Sequence, residues 1–198
     1  MKNTRRAFLI AAWLACALAA AACAATPSPA DAPRPRNLVF MIPDGCGPAS
    51  IVLGRMCAGR PLALDSILVG ASETSSTSSR VTDSAAGATA YASGIKTGNA
   101  MLGLDPEERP VGTLLEAAQA RGMRTGMVVT CRLTHATPAA FASHVPDRGA
   151  EDSIAVQELE HGVDLLLGGG RANFLPAGAG GGRRDGRDLL GEARRRGC

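Results

Sequence analysis

Short apolar runs alternate with segments of helical pattern through most of the chain. Residues 38–42 form a continuous apolar run of the sort buried on both faces of a parallel sheet, and residues 48–56 then read as helix. A second apolar run at 67–71 leads into the polar loop 72–79, S-E-T-S-S-T-S-S. That loop delivers the chain to residues 80–98, R-V-T-D-S-A-A-G-A-T-A-Y-A-S-G-I-K-T-G. Here a polar Thr82-Asp83-Ser84 run before a helix-compatible stretch predicts a capped helix start, with Thr82 or Asp83 as N-cap and Ser84 in the first turn. Residues 113–121 predict a helix with Leu114, Leu115 and Ala118 on one face and Gly122 as its stop. A strand at 127–130, a helix at 153–160, a strand at 163–167 and a loop at Gly168-Gly169-Gly170 follow. This alternation predicts an α/β fold, a parallel-rich central sheet with helices on both faces. Functional groups in such sheets gather at the carboxyl ends of strands. Asp44, the loop before Ser84, the loop 134–138 and the triple glycine all fall there.

The N-terminus changes the picture of where the chain resides. M-K-N-T-R-R is basic and residues 7–22 are nearly all apolar, the pattern of an export signal over 1–25 with cleavage near Ala25. The run is shorter than a membrane span and ends in small residues, so no transmembrane anchor is expected after processing. T-R-R-A-F-L resembles a twin-arginine signal, although paired basic residues are also ordinary in general secretory leaders; either route leads to the periplasm or the exterior. Cys23 lacks the leucine usual three positions before a lipidated cysteine. Residues 26–36 are a Pro-rich linker, and 37–198 are of a length for one domain. The net charge of +3 owes much to the leader and to 183–196, and aromatic residues are only 3% of the chain, which argues against nucleic acid as a partner. Cys46, Cys57, Cys131 and Cys198 are scattered without a C-x-x-C pair, so neither a cysteine zinc site nor a disulfide framework is indicated.

Candidate chemistry centres on Ser84. The unpaired N–H groups and dipole of a helix start suit a phosphate and stabilise a developing alkoxide, though an Asp-Ser pair can equally be a cap and nothing more. Asp44, in I-P-D-G-C-G, reads as a turn aspartate or a ligand at a strand end, and Thr137, before Pro138 at a first helical position, as a cap or a ligand. Arg148, in H-V-P-D-R-G, reads as a solvated loop residue or as a clamp, since a guanidinium can hold two oxygens of a phosphoryl group at once. His144 reads as a structural histidine, His161 as an exposed one at a helix end, and Cys46 as a small buried side chain.

V-T-D-S-A-A-G-A-T-A with G-I-K-T after it, N-L-V-F-M-I-P-D-G upstream, and T-H-A-T-P-A-A-F-A-S-H-V-P-D-R with L-L-L-G-G-G downstream occur in one order over residues 37–170. In these motifs the chain resembles the alkaline phosphatase family. The resemblance implies a three-layer sandwich that hydrolyses small-molecule phosphate monoesters through a phosphoserine, in a site of two zinc ions and one magnesium. It implies Ser84 as nucleophile and metal ligand, Asp44 bridging a zinc and the magnesium, Thr137 as a magnesium ligand, and His135 behind that metal's ligands. Arg148 becomes the phosphate clamp and Asp83 its orienter. Pro43 and Cys46 depart from the glycine and methionine usual in the family's loop, and Pro43 removes an N–H.

The family takes most of its zinc ligands from beyond the triple glycine, so the expectation is an N-terminal part of the domain, incomplete at its C-terminus, with the remaining ligands beyond Cys198. D-L-L-G-E-A-R-R-R-G-C repeats the pattern of T-L-L-E-A-A-Q-A-R-G-M, a helix and a glycine stop before a strand. With no histidine cluster of metal-site spacing beside Asp44, Ser84 and Thr137, the chain alone is expected neither to hold two zinc ions nor to turn over a monoester. Two other classes stay open: an inactive exported phosphate- or metal-binding fragment, and a related metal-dependent phosphodiesterase or phosphomutase. D-S-A-A and H-V-P-D-R favour the monoesterase. A sulfatase reading of C-G-P-A-S fails, because Ser50 stands where that motif needs arginine. The physiological ester and a homodimer are left open.

Overall fold

The computed structural model describes residues 36–197. The expected export signal, the expected linker up to its last residue, and Cys198 lie outside them. The chain divides after Ile42. Residues 36–42, the described end of the first unit, carry no regular secondary structure, and Val39 and Met41 are 80% and 84% exposed. The strand expected at 38–42 is therefore not formed. An apolar pentapeptide fixes no strand by itself; it needs a neighbour to complete its ladder, and the sheet of the described residues consists of β1 and β2 below.

In the second unit, α1 (Pro48–Ala58) has Pro48 in its first turn and Gly59 at φ 60° as its left-handed stop. None of its residues is buried. The expected strand at 67–71 is replaced by a 3-10 turn, Ala63–Ile67, and irregular chain in which Val69 is fully exposed. Asp65 sets that turn, accepting from Leu62 N at 2.8 Å and from Arg55 Nε at 3.1 Å, and these local polar bonds outcompete the weak β preference of the run.

α2 (Ser84–Ser93) and α4 (Ala136–Ala142) position the candidate site. Asp83 is the N-cap of α2, accepting from Ala86 N at 2.9 Å, while Thr82 Oγ1 accepts instead from Ser76 N. Ala85 and Ala88 of α2 share one core with Ala136, Ala139 and Ala140 of α4, sealed by Leu102, Val145 and Ile154. Alanine faces let two helix backbones come close and lose no rotamer freedom on burial. The wholly buried Leu102 and Ile154 each add about 1.5–3 kcal/mol of apolar burial. α4 begins at Ala136 with His135 at its N-cap, so Pro138 is its third residue rather than its first. It still lies among the first N–H groups, which need no intrahelical partner.

α3 (Leu114–Gln119) opens on a capping box in which Glu116 N donates to Thr113 Oγ1 at 3.2 Å and Thr113 N to Glu116 Oε2 at 2.8 Å. β1 (Gly126–Arg132) and β2 (Leu165–Gly169) pair in parallel with α4 and α5 (Glu151–Glu160) between them. The crossover makes the α/β character concrete. Met127, Leu115, Leu133, Ala155, Phe174 and Leu189, the last from α6 (Leu189–Arg195), form the second core. One face of the pair is open among the described residues, with Val128 72% exposed, where burial on both faces was expected. Gly168 and Gly169 belong to β2 rather than to a loop. A Cβ on Gly168 would stand 2.6 Å from Val129 Cγ2, so the glycine there serves close packing against β1.

Candidate active site

Asp44 stands in a tight turn in which Cys46 N donates to Pro43 O at 3.1 Å and Gly45 adopts φ 72°. Ser84 Oγ donates to its carboxylate, 3.0 Å from Oδ1 and 3.1 Å from Oδ2. Thr137 Oγ1 donates to Oδ2 at 2.9 Å. Ser84 is the first residue of α2 and Thr137 the second of α4, so the alanine-mediated packing of the two helices brings both hydroxyls to one carboxylate. Ser84 N and Ala85 N donate no hydrogen bond among the described residues, leaving the positive end of α2 directed at the serine.

Asp83 links the helix to Arg148. Its Oδ1 caps Ala86 N, while its Oδ2 accepts from Ala100 N at 3.0 Å and from Arg148 Nη1 at 3.2 Å. Ala100 holds φ 69°, a left-handed conformation costly for a residue with a Cβ. Its N–H is tied to Asp83 and its carbonyl accepts from Arg148 N at 2.8 Å, which holds the strained residue in place. Arg148 Nη2 lies 3.2 Å from His135 Nε2; a guanidinium only donates, so that ring nitrogen accepts. The ring's Nδ1 is buried without a partner among the described residues. Asn99 and Ala100, which connect this assembly, carried no sequence signal beyond a loop composition.

The loop after β1 is braced from α5. Glu151 accepts from Arg132 Nε at 3.0 Å and Nη2 at 2.9 Å, from Thr134 Oγ1 at 2.6 Å, and from Asn173 Nδ2. Burial pushes its carboxyl up, but these bonds outweigh it and hold it below the usual carboxylate range. Cys131, at the end of β1, has its thiol pushed up by burial, and the charge of Asp44 adds to this. It is therefore held protonated at neutral pH.

Several expected residues lie elsewhere or behave differently. Cys46, at the close of the turn that carries Asp44, is exposed rather than buried. His161 is not an exposed helix end but half-buried at the C-cap of α5, with a buried Nδ1 that has no hydrogen-bond partner among the described residues. It lies beside His144 and Glu116, three residues far apart in sequence that only the fold assembles. Arg183, one of the basic residues of 183–196 that contribute to the net charge, is buried, donating to the carbonyls of Asp152 and Asn173 at 2.9 and 3.0 Å and pairing with Asp185.

Ser84 at the start of α2 and Thr137 in the first turn of α4 thus meet on Asp44, with Arg148 tied to the same helix start through Asp83. The alkaline phosphatase family model matches residues 35–198. The repressible alkaline phosphatase of Saccharomyces cerevisiae is 46% identical over 182 residues, covering 82% of this chain and 32% of the yeast protein. The alkaline phosphatase of the Antarctic bacterium TAB5 superposes with a TM-score of 0.67 at 35% identity, over 77% of this chain and 44% of its own. A substituted form of that enzyme, with magnesium bound, gives 0.66 at 35% identity, over 76% and 42%. The chain belongs to the alkaline phosphatase family, and it spans about a third of the length of the yeast relative. Among the described residues no helix is long and apolar enough to cross a membrane.

Proposed function

We propose that this chain carries the nucleophile-bearing part of a phosphate monoesterase, exported to the periplasm or beyond, with residues 37–198 as the N-terminal part of the domain. The observation that carries the reading is the convergence of Ser84 and Thr137 on Asp44 beside an arginine oriented by Asp83. Ser84 Oγ attacks phosphorus while the bond to the alcohol oxygen breaks, giving a phosphoserine and the free alcohol. Water then attacks that phosphorus, releasing phosphate and restoring the serine. The serine proton points at Asp44, which leaves the Oγ lone pairs for phosphorus. Arg148 spends two of its five N–H donors on Asp83 and His135, so the rest serve the non-bridging oxygens together with Ser84 N and Ala85 N.

The resemblance assigns two zinc ions and one magnesium to this centre. The donors fit only part of that set. Asp44 and Thr137 offer oxygen alone, which suits a hard cation such as magnesium, the ion bound in a substituted relative. Around Ser84 the described residues offer no group of three His, Cys, Asp or Glu ligands, so the zinc pair does not fit them, and we place its ligands outside these residues. A cation on Asp44 would supply positive charge beside the serine oxygen and favour its alkoxide.

The test is Ser84→Ala in a chain of full family length, with trapping of labelled phosphate at acidic pH. Loss of nearly all turnover, with label on Ser84 in the parent, is the expected outcome. Label on another residue overturns the assignment, and comparable turnover of diesters would favour the phosphodiesterase class.

A further inference from the structure

A second cluster shares no residue with the one around Asp44. Glu116 comes from the first turn of α3, His144 from the segment after α4, and His161 from the C-cap of α5. Glu116 Oε1 lies 2.9 Å from His144 Nε2 and 3.8 Å from His161 Nδ1, and one ligand atom from each residue can be chosen with all three within 4.8 Å of one another. We propose that Glu116, His144 and His161 bind a divalent transition metal, zinc above others, fastening α3, the exit of α4 and the end of α5 together.

The tautomer of His144 is the first argument. Its Nδ1 lies 2.7 Å from the Gly103 carbonyl, which can only accept, so Nδ1 carries the hydrogen. The Nε2 of the neutral ring then turns a lone pair toward a carboxylate oxygen that also only accepts. Two acceptors at 2.9 Å repel unless a cation or a second ring proton stands between them. A second proton on His144 would settle this pair alone. His161 Nδ1, buried and without a hydrogen-bond partner among the described residues, is a further lone pair or donor at the same oxygen, and one metal ion answers all three groups.

Spacing is the second. Ligands about 2.0–2.1 Å from a tetrahedral zinc stand about 3.3 Å apart; the two separations from Glu116 Oε1, 2.9 and 3.8 Å, bracket that value, and with all three ligand atoms within 4.8 Å of one another a shift of the side chains closes them on one ion. Preorganisation is the third. Glu116 Oε2 is held by Thr113 N at 2.8 Å, His144 N donates to Gln157 Oε1 at 2.7 Å, and the His161 carbonyl accepts from Gln119 Nε2 at 2.8 Å. A histidine ligand whose other N–H donates to a backbone carbonyl is the usual support of a zinc site. Two nitrogens and one oxygen select zinc over magnesium or calcium. The side chains remain 15–29% exposed, which admits water as a fourth ligand.

Zinc alone is the probe, titrated into the full chain against a chromogenic chelator, with cobalt(II) as a visible reporter. His161→Ala is the main variant because the side chain makes no hydrogen bond among the described residues; His161→Gln keeps its bulk should the alanine form fold poorly, and Glu116→Gln keeps the capping box. The parent and Asp44→Asn should bind one equivalent at this site and show the visible bands of four-coordinate cobalt. His161→Ala, His161→Gln and Glu116→Gln should weaken that equivalent by at least about a hundredfold, since even outer partners of a metal ligand are worth ten- to a hundredfold. Unchanged zinc affinity in these variants, loss of the equivalent in Asp44→Asn alone, or no binding by the parent would overturn the proposal; the last would leave a protonated His144 paired with Glu116.

Discussion

Replacing Glu158 by glutamine should make the protein more stable at alkaline pH and less stable at acid pH. Glu158 lies on α5, wholly buried, and neither carboxylate oxygen has a hydrogen-bond partner among the described residues. Burial first, and the charge of Glu151 second, raise its pKa from 4.5 to about 8. Between those values the folded protein keeps a proton that the unfolded chain releases. Stability therefore falls as pH rises through that window, by about 1.4 kcal/mol per unit, to an upper bound of about 5 kcal/mol once pH exceeds 8. Below pH 4.5 both states hold the proton and nothing is lost. Glutamine has no charge to bury, but its amide brings two donors into the same apolar setting, at about 1–3 kcal/mol. The variant should thus be weaker at pH 5, stronger at pH 9, and its stability curve should cross that of the parent in between. Urea unfolding followed by circular dichroism at pH 5, 7 and 9 measures the difference directly. A difference that stays constant with pH, or a variant still weaker at pH 9, would refute the account of a buried, uncompensated carboxyl.

Arg148→Ala should weaken the affinity for inorganic phosphate by roughly ten- to a hundredfold, the worth of about 1.5–3 kcal/mol of charge-assisted hydrogen bonding, and an unchanged constant by calorimetry would exclude the clamp. Asp83→Asn keeps an oxygen to cap Ala86 N but puts an amide NH2 where an oxygen accepts from Ala100 N and Arg148 Nη1, so phosphate binding should fall at least several-fold and stability by about 1–3 kcal/mol. Unchanged phosphate affinity in this variant would show that Asp83 does not orient Arg148. Thr113→Val withdraws the hydroxyl that accepts from Glu116 N and donates to Phe141 O at 2.7 Å, and should cost about 2 kcal/mol in urea unfolding. A loss below about 0.5 kcal/mol would mean that this buried capping box contributes little.

What the sequence determined by itself was local. The polar run before α2 specified a cap, because an N-cap needs only a side-chain oxygen within reach of an N–H three residues on, and Asp83 has one. The same holds for Thr113 with Glu116, and for Gly59 and Gly122 at positive φ after their helices. The motifs also carried the family, and with it Asp44, Ser84, Thr137 and Arg148 as residues to look for. Their meeting was decided by tertiary structure: Asp44 is 40 residues from Ser84 and 93 from Thr137, and the close alanine packing of α2 on α4 is what closes those gaps. The strands expected at 38–42 and 67–71 failed because an apolar run states a demand for burial without naming the partner that meets it. His144 and His161 followed the same logic in reverse, unremarkable as separate loop and helix-end residues until the fold set both against Glu116. Caps and turns are settled within a few residues of backbone, whereas a shared carboxylate, a ladder or a metal-type cluster depends on which distant surfaces pack, and that is fixed only when the whole core forms.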